Sequence, residues 1–333
     1  MPNIITHSLF AKEMADRFPD AGWLHAREHL FTVGSNGPDY LFFYGFGAGG
    51  PLKGATLRRY GGQLHKGHVN AFYESALRSI RHEKDPAIRQ DMIAYVCGHL
   101  SHWALDSTVH PYVYYRTGHG SAQNSWNHHR MESVLDSIVL KVKNGETTKQ
   151  FDTPAIANCS LEEARAVARI YVPAIEAVFN EQIAPHQIKD ALDDWHRVQK
   201  LEHDPKGVKL ASLKSLEKLT GTKNLASGLI VPNAPVDDYD ICNLTHKKWI
   251  HPADENRVST ESFFDLYDKA LITGETAIRL FLAAVDDKAE EKDFLRFIGN
   301  RTYNEGLPED LPMVHFDVCD FTDAGKTKTK KSA

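Results

Sequence analysis

The sequence predicts an all-α protein, a multi-helix bundle with a C-terminal helical extension, and three observations carry this prediction. Apolar residues recur at helical spacing over long stretches, most clearly over residues 85–106. Clusters of glycine and proline separate these stretches. Strand-like runs are limited to residues 228–232 and 313–318, and two isolated runs do not make a sheet.

The predicted elements follow in chain order. A first helix is expected over residues 6–18, with Thr6 as its N-cap. Residues 33–63 are rich in glycine, proline and aromatic residues, which predicts loops and turns. Helix is expected to return over 66–82, from 85 to about 106, from about 125 to 142, and over 160–182, 184–201 and 259–285, with mixed helix and loop between 202 and 250. The 85–106 helix has Asp85 as its N-cap and is expected to end near His110, because Pro111 follows.

Composition limits the classes of function. The net charge is −5, and the sequence shows no basic stripe of the kind that nucleic-acid binding requires. The basic run at residues 326–331 is interpreted as a solvated tail. The longest apolar runs fall far short of the roughly 18 residues that a membrane span needs, so no transmembrane segment is expected. The start of the chain lacks the features of a signal peptide, and four dispersed cysteines form no CxxC pair, so a reduced, cytoplasmic protein is expected.

Histidine is unusually frequent and unevenly placed. The chain has 18 histidines, and nine of them fall between His65 and His129. Imidazole is the commonest protein ligand for metals and a common acid/base group. This crowding therefore predicts a metal or catalytic site in the first half of the chain.

Two helix pairs carry the metal hypothesis. His102 and Asp106 are four residues apart, so they project from one helix face, and His110 follows four residues later. Taken alone, the first pair is better explained by a core histidine hydrogen-bonded to its carboxylate. His128 and Glu132 repeat the spacing on the next helix, and two facing helices with such pairs favour a zinc site over a chance pairing or an ion-pair network.

Three further residues fit the same site. Asp39 follows Gly37 and Pro38 in a turn, His65 follows two glycines, and His7 lies in the first helix. None is convincing alone. Together with the helix pairs they supply enough nitrogen and carboxylate ligands for more than one ion.

The order H…GPD…H…HxxxD…H…HxxxE resembles the zinc-dependent phospholipase C family of bacteria, which shares its helical fold with fungal single-strand nucleases. The segments KWIHP and SFFDLYDKA resemble the intracellular, unsecreted branch of that family. The resemblance implies two or three zinc ions with shared ligands. It assigns Asp39, His65, His102 and Asp106 to the first ion, His110, His128 and Glu132 to the second, and His7 with Asp106 to the third. It also makes Asp39 the candidate general base.

The expected organisation is a phospholipase C-like helical domain over residues 1–200, a helical extension packed on it over 201–325, and a disordered tail over 326–333. The expected function is zinc-dependent hydrolysis of a phosphoester, with phospholipid as a candidate substrate. A nuclease or nucleotide phosphatase on the same scaffold is the first alternative, and an aromatic stacking pocket beside the metals would favour it. A non-catalytic metal-binding interaction protein is the second, and a closed coordination shell would favour it. The sequence leaves the oligomeric state open.

Overall fold

The structure of this protein is a computed structural model, and it describes residues 3–46, 56–235 and 239–319. These ranges are predominantly α-helical, as the sequence predicts. The α-helices, numbered in chain order, are α1 Ile4–Ala15, α2 Gly22–His25, α3 Glu28–Gly34, α4 Arg58–Lys66, α5 Val69–His82, α6 Pro86–Thr117, α7 Ala122–Val139, α8 Thr153–Ile156, α9 Leu161–Phe179, α10 Pro185–Glu202, α11 Val208–Thr220, α12 Phe263–Asp286 and α13 Glu291–Ile298. Shorter elements are 3-10 turns at Asp39–Phe43, Ser227–Leu229 and Lys288–Glu290, a π turn at Leu140–Asn144, and the strands β1 Trp249–His251 and β2 Asp254–Ser259.

Helix α6 is the centre of the molecule. Nearly all of its residues 92–113 are buried, because apolar and small side chains occupy every face of this segment. Helices α12, α3, α9, α1 and α7 pack around it. Gly34 and Gly98 let α3 approach α6 closely, since a Cβ at either position would collide with a backbone carbonyl of the other helix. The central helix is therefore held on several sides at once.

The expectation that this helix ends near His110 is wrong, because α6 continues through Pro111 to Thr117. Proline removes the helical hydrogen bond to the carbonyl of Ser107 at a cost of about 3 kcal/mol. Beyond it Tyr112, Val113 and Thr117 are buried, and the Tyr112 hydroxyl donates to the Ile241 carbonyl at 2.8 Å. Tertiary packing of this last stretch outweighs the local loss.

The first helix starts earlier than predicted, at Ile4, with Asn3 as its N-cap instead of Thr6. The reason is a long-range contact with α7. The Asp136 carboxylate accepts from the backbone N–H groups of Ile5 and Thr6 at 3.1 and 2.9 Å and from the Thr6 hydroxyl at 2.6 Å. These bonds satisfy donors of the first turn that a local cap would otherwise serve.

The loop predicted over 33–63 is partly helical. Residues 58–63 belong to α4 despite two glycines, because Tyr60, Gly61 and Leu64 are buried and Gly61 packs under the Phe42 ring. Residues 47–55 of that predicted loop lie outside the described residues. The predicted disordered tail at 326–333 lies outside them too.

The antiparallel β1–β2 hairpin was not predicted, since strands this short give no period to detect. Trp249 pairs with Ser259, and its ring packs 5.4 Å from that of Tyr112. The two strand-like runs at 228–232 and 313–318 form no strand. In the second run, Val314 and Asp317 instead donate single backbone bonds to Pro252 and Tyr115.

One hydrophobic core runs through the described chain, from Ile4 to Tyr303. Helix α12 packs along α6, and Gly274 of α12 lies against Met14 and Ala104. The segment after residue 200 therefore shares its core with the segment before it. None of the described helices combines the length and apolar character that crossing a bilayer requires.

Candidate metal centre

The eight residues predicted as metal ligands converge where α6 meets α1, α4, α7 and the 3-10 turn at Asp39–Phe43. Helix α6 contributes three of them on one face at successive four-residue steps, as the spacing predicts. All eight are buried or nearly so. They are His7 from α1, Asp39 from the 3-10 turn, His65 from α4, His102, Asp106 and His110 from α6, and His128 and Glu132 from α7.

Their nitrogen and oxygen atoms form three adjoining groups, each with ligand atoms within 4.8 Å of one another. The groups are His7, His102 and Asp106; Asp39, His65 and His102; and His110, His128 and Glu132.

The spacing within the groups is the spacing expected around an ion. His65 Nε2 lies 3.1 Å from Asp39 Oδ1, and His102 Nε2 lies 3.8 Å from the same oxygen. In the other two groups, His7 Nε2 lies 3.2 Å from Asp106 Oδ1, and His110 Nε2 lies 3.8 Å from Glu132 Oε1. Two ligands held about 2.0–2.1 Å from one tetrahedral zinc ion would be about 3.3 Å apart.

Several of these atoms are buried without a hydrogen-bond partner among the described residues. They are both ring nitrogens of His7, Asp39 Oδ1, His102 Nε2, both carboxylate oxygens of Asp106 and His110 Nε2. The close nitrogen–oxygen pairs given above do not have hydrogen-bond geometry, so they do not supply these buried atoms with hydrogen bonds. An unsatisfied buried polar group costs about 1–3 kcal/mol, and such groups are rare in folded proteins. Their concentration at one place fits a site built to hold cations.

Backbone carbonyls orient three of the imidazoles. The Nδ1–H groups of His65, His102 and His110 donate to the carbonyls of Gly61, Ser35 and Tyr303 at 2.7, 3.2 and 2.8 Å. This fixes the tautomer and turns each bare Nε2 toward the cluster. Metal-binding histidines are held in the same way by a bond from the ring nitrogen that does not bind the metal.

The charges of the cluster also suit a cation. Burial lowers the pKa of His110 and His128 well below the usual range, which keeps both rings neutral, the form that binds metals. Burial also lowers the pKa of His102, but Asp106 and Asp39 raise it more, so its net shift is upward. Although burial opposes it, His102 holds the pKa of Asp106 well below its usual value. The carboxylate is therefore ionised in a fully buried position.

The turn that carries Asp39 requires a glycine. Gly37 has φ of +48°, and a Cβ there would collide with the His102 ring. A glycine thus lets this turn lie directly against α6. Pro38 then leads into the 3-10 turn that begins at Asp39.

Tyr303 was not predicted as part of the site, because it lies far along the chain from the motifs. Its carbonyl accepts from His110, and its backbone N–H donates to the carbonyl of His65 at 3.0 Å. Its ring lies 5.2 Å from that of His65 and 5.4 Å from that of His102. A backbone contact from about 200 residues away leaves no signal in residue spacing.

Two further histidines on α6 and α7 lie next to the cluster but belong to none of the three groups. His99 is buried behind the cluster, where its ring bonds the Tyr73 and Tyr171 hydroxyls at 3.0 and 3.1 Å. His129 is exposed, and its Nδ1 lies 3.7 Å from Glu132 Oε2, on the other side of that carboxylate from His128.

Comparison with known proteins agrees with the geometry. The family model described as zinc dependent phospholipase C matches residues 5–183, more than half of the chain, and this span contains all eight clustered residues. Searches of curated proteins and of solved structures return no match. The chain belongs to the zinc-dependent phospholipase C family.

Proposed function

We propose that this protein is a zinc-dependent phosphoesterase that hydrolyses a phosphodiester of the phospholipid type. The observation that carries the proposal is the convergence of buried nitrogen and oxygen atoms on three adjoining points, several of them without a hydrogen-bond partner in the described part of the chain. Membership of the family supports zinc as the ion and a lipid phosphoester as the substrate class.

In this proposal, Asp39, His65 and His102 hold one ion together with Asp106, whose Oδ2 lies 3.2 Å from His102 Nε2. His110, His128 and Glu132 hold the second. The Nδ1 of His102 donates to Ser35, so only its Nε2 is left to bind one ion. A third ion beside His7 and Asp106 would therefore need another ligand, and the proposal is for at least two ions.

Zinc bound by these residues would lower the pKa of a bound water and would neutralise charge on the phosphoryl group. Asp39 is the proposed general base, and its Oδ1 lies beside His65 in the first group. Its side chain keeps 12% of its surface exposed, whereas Asp106 is fully enclosed. Asp39 can thus take a proton from the attacking water and release it to solvent. Asp106, with its lowered pKa, stays ionised and orients the histidines around it.

The second group supports catalysis over a purely structural site. It offers three side-chain ligands, and a tetrahedral zinc site with three protein ligands keeps one position for water or substrate. The open position is proposed for this second ion, because the first ion has four side-chain ligands in this proposal.

A nuclease or nucleotide phosphatase is the second candidate, because an aromatic ring lies beside this group. The half-buried Tyr114 ring lies 4.8 Å from that of His128 and 5.5 Å from that of the exposed His119. A nucleobase could stack there, since stacking on aromatic side chains is how unpaired bases are commonly held.

Metal analysis followed by a substrate panel tests the proposal. We expect at least two zinc equivalents in the purified protein. Hydrolysis should be lost on chelation and restored by zinc, with phospholipid preferred over a dinucleotide and a nucleoside monophosphate. Well under one equivalent after zinc loading would refute the metal centre. Full zinc content without hydrolysis of any member of the panel would refute the enzyme.

A further inference from the structure

Helix α11 presents large apolar side chains to solvent. Leu219 is 85% exposed, Val208 62% and Leu216 57%, and Leu201 at the end of α10 is 71% exposed. Glu217 is the one buried residue of this helix. Single exposed apolar residues are ordinary on protein surfaces, but four in one short segment are not.

These residues share the outward face of the helix. At 100° per residue, Val208, Leu219 and Leu216 fall within a sector of about 80°, and the buried Glu217 lies about 100–180° away from them. Lys209 joins the start of α11 to the end of α10. Its Nζ donates to the carbonyls of Lys200, Leu201 and His203 at 3.3, 2.9 and 2.8 Å. The exposed side chains of Leu201, Val208, Leu216 and Leu219 are named here the α11 face.

Lysines border this face, and residues 201–223 carry no exposed acid. Lys206 precedes the helix, Lys218 lies about 80° around the helix from Val208, and Lys223 follows it. Glu217, the only acidic residue of the helix, is occupied internally, accepting from the backbone of Ala226 and from the backbone and hydroxyl of Ser227. The surface around α11 is therefore positively charged, although the chain as a whole has a net charge of −5.

The α11 face is tied to the helix that carries part of the metal centre. After α11, the chain bonds to α7 at two points: the Asn224 amide donates to Asn127 Oδ1 at 3.3 Å, and the Ser133 hydroxyl donates to the Gly228 carbonyl at 2.6 Å. Helix α7 also carries His128 and Glu132.

We propose that the α11 face docks on the surface of an anionic phospholipid bilayer. Leu201, Val208, Leu216 and Leu219 would enter the boundary between headgroups and acyl chains, and the bordering lysines would meet the anionic headgroups. Exposed leucines flanked by lysines are typical of helices that lie in a membrane interface. A protein partner or a second copy is less suited, because lysine is depleted in protein interfaces. The proposal goes beyond hydrolysis, since this binding needs neither zinc nor catalysis.

Vesicle flotation of the full-length protein tests it. We expect wild type to bind vesicles of phosphatidylcholine with phosphatidylserine, to bind pure phosphatidylcholine more weakly, and to release from the anionic vesicles as salt increases. L216D/L219D should lose at least about tenfold in partitioning, because each leucine buries apolar side-chain area worth more than about fivefold. Ile272→Asp is the matched control, since Ile272 is 63% exposed on α12.

A second pair of variants tests the charge. K206E/K218E should lose the preference for anionic vesicles by roughly tenfold or more, at about fivefold per lysine. Lys292→Glu, an exposed lysine on α13, should keep that preference. Wild type that does not float with anionic vesicles would overturn the proposal, as would L216D/L219D floating as well as Ile272→Asp. Self-association abolished by L216D/L219D, with no vesicle binding, would assign the face to a second copy instead.

Discussion

At the scale of single residues, Asp106 is the side chain on which the cluster depends most. Its Oδ1 lies 3.2 Å from His7 Nε2, and its Oδ2 lies 3.2 Å from His102 Nε2 and 3.7 Å from His110 Nδ1. It is fully buried, and neither oxygen has a hydrogen-bond partner among the described residues. Glu132, by contrast, belongs to one group.

Replacing each carboxylate in turn should show which of the two contributes more to zinc binding. Asp106→Asn and Glu132→Gln keep size and shape but remove a charge, and amides are poor zinc ligands. We expect both to lower zinc content and to reduce phosphoesterase activity by orders of magnitude, with Asp106→Asn losing more. Zinc binding contributes to folding free energy, so both should also melt at lower temperature. Elemental analysis and thermal melts with and without chelator measure these effects.

The control is Asp286→Asn, because Asp286 is an exposed residue at the end of α12. It should behave as wild type. Equal melting of wild type and the two cluster variants, with no effect of chelator, would contradict the metal centre. Two core histidine–carboxylate pairs would then remain, and their loss would cost only about 1–3 kcal/mol.

At the scale of elements, the turn after α13 holds part of the site in place. Thr302 donates its backbone N–H to Leu307 at 2.8 Å, and Gly306 donates to Thr302 at 3.1 Å. Gly306 has φ of +62°, and a Cβ on it would collide with the carbonyl of Ser107, the one that Pro111 leaves without its helical donor. Tyr303, within this turn, accepts from His110. The turn therefore links the interruption in α6 to the orientation of a proposed ligand.

Gly306→Ala tests this link. The substitution adds a positive-φ penalty of about 1 kcal/mol and a backbone collision, and the turn must move. We expect a lower melting temperature and weaker zinc retention against a chelator. Gly145→Ala is the control, because Gly145 has φ of +70° but nothing within 4 Å of an added Cβ. If the two variants lose the same stability and both retain zinc as wild type does, the turn does not position His110.

A pH effect is expected at the end of α10. Burial raises the pKa of Glu202 to about 8, although a bond from the Gln199 amide lowers it. A carboxyl whose pKa is higher in the folded state stabilises the fold below its unfolded pKa of about 4.3, and this contribution is lost as pH rises through about 8. Glu202→Gln should remove the loss, so the stability of wild type should fall relative to that of the variant by up to about 4 kcal/mol between pH 5 and pH 9. Denaturant titrations at both pH values measure it, and parallel pH profiles for the two proteins would contradict it.

At the scale of the whole molecule, the shared core argues that the first 200 residues are incomplete alone. Without the later segment, α6 loses the packing of α12, and Trp103 loses its bond to the Arg301 carbonyl at 2.9 Å. We expect a fragment of residues 1–200 to show no cooperative thermal transition and no stoichiometric zinc binding, measured by circular dichroism and elemental analysis. A fragment that melts cooperatively and holds two zinc ions would contradict this and would favour an independent domain.

What the sequence predicts and what it misses follow from the range of the interactions. The fold class and the helices with strong periodicity are local properties, and the helix pairs on α6 and α7 follow from four-residue spacing alone. The errors involve distant partners. Asp136 moves the start of α1, and packing beyond Pro111 carries α6 past its predicted end. The carbonyl of Tyr303 that orients His110 is likewise invisible to a local pattern.

Because α6 continues through Pro111, one helix fixes the spacing of three residues of the cluster. His102, Asp106 and His110 follow one another at intervals of about 6 Å along the axis of one helix. The geometry of this helix therefore sets the distance between the two proposed ion sites. Had the helix ended before His110, a loop could have adjusted that offset for each ion or substrate. As it stands, residues 102–110 can change in identity at non-ligand positions but not in length. One inserted residue would rotate His110 by about 100° and remove it from the shared face.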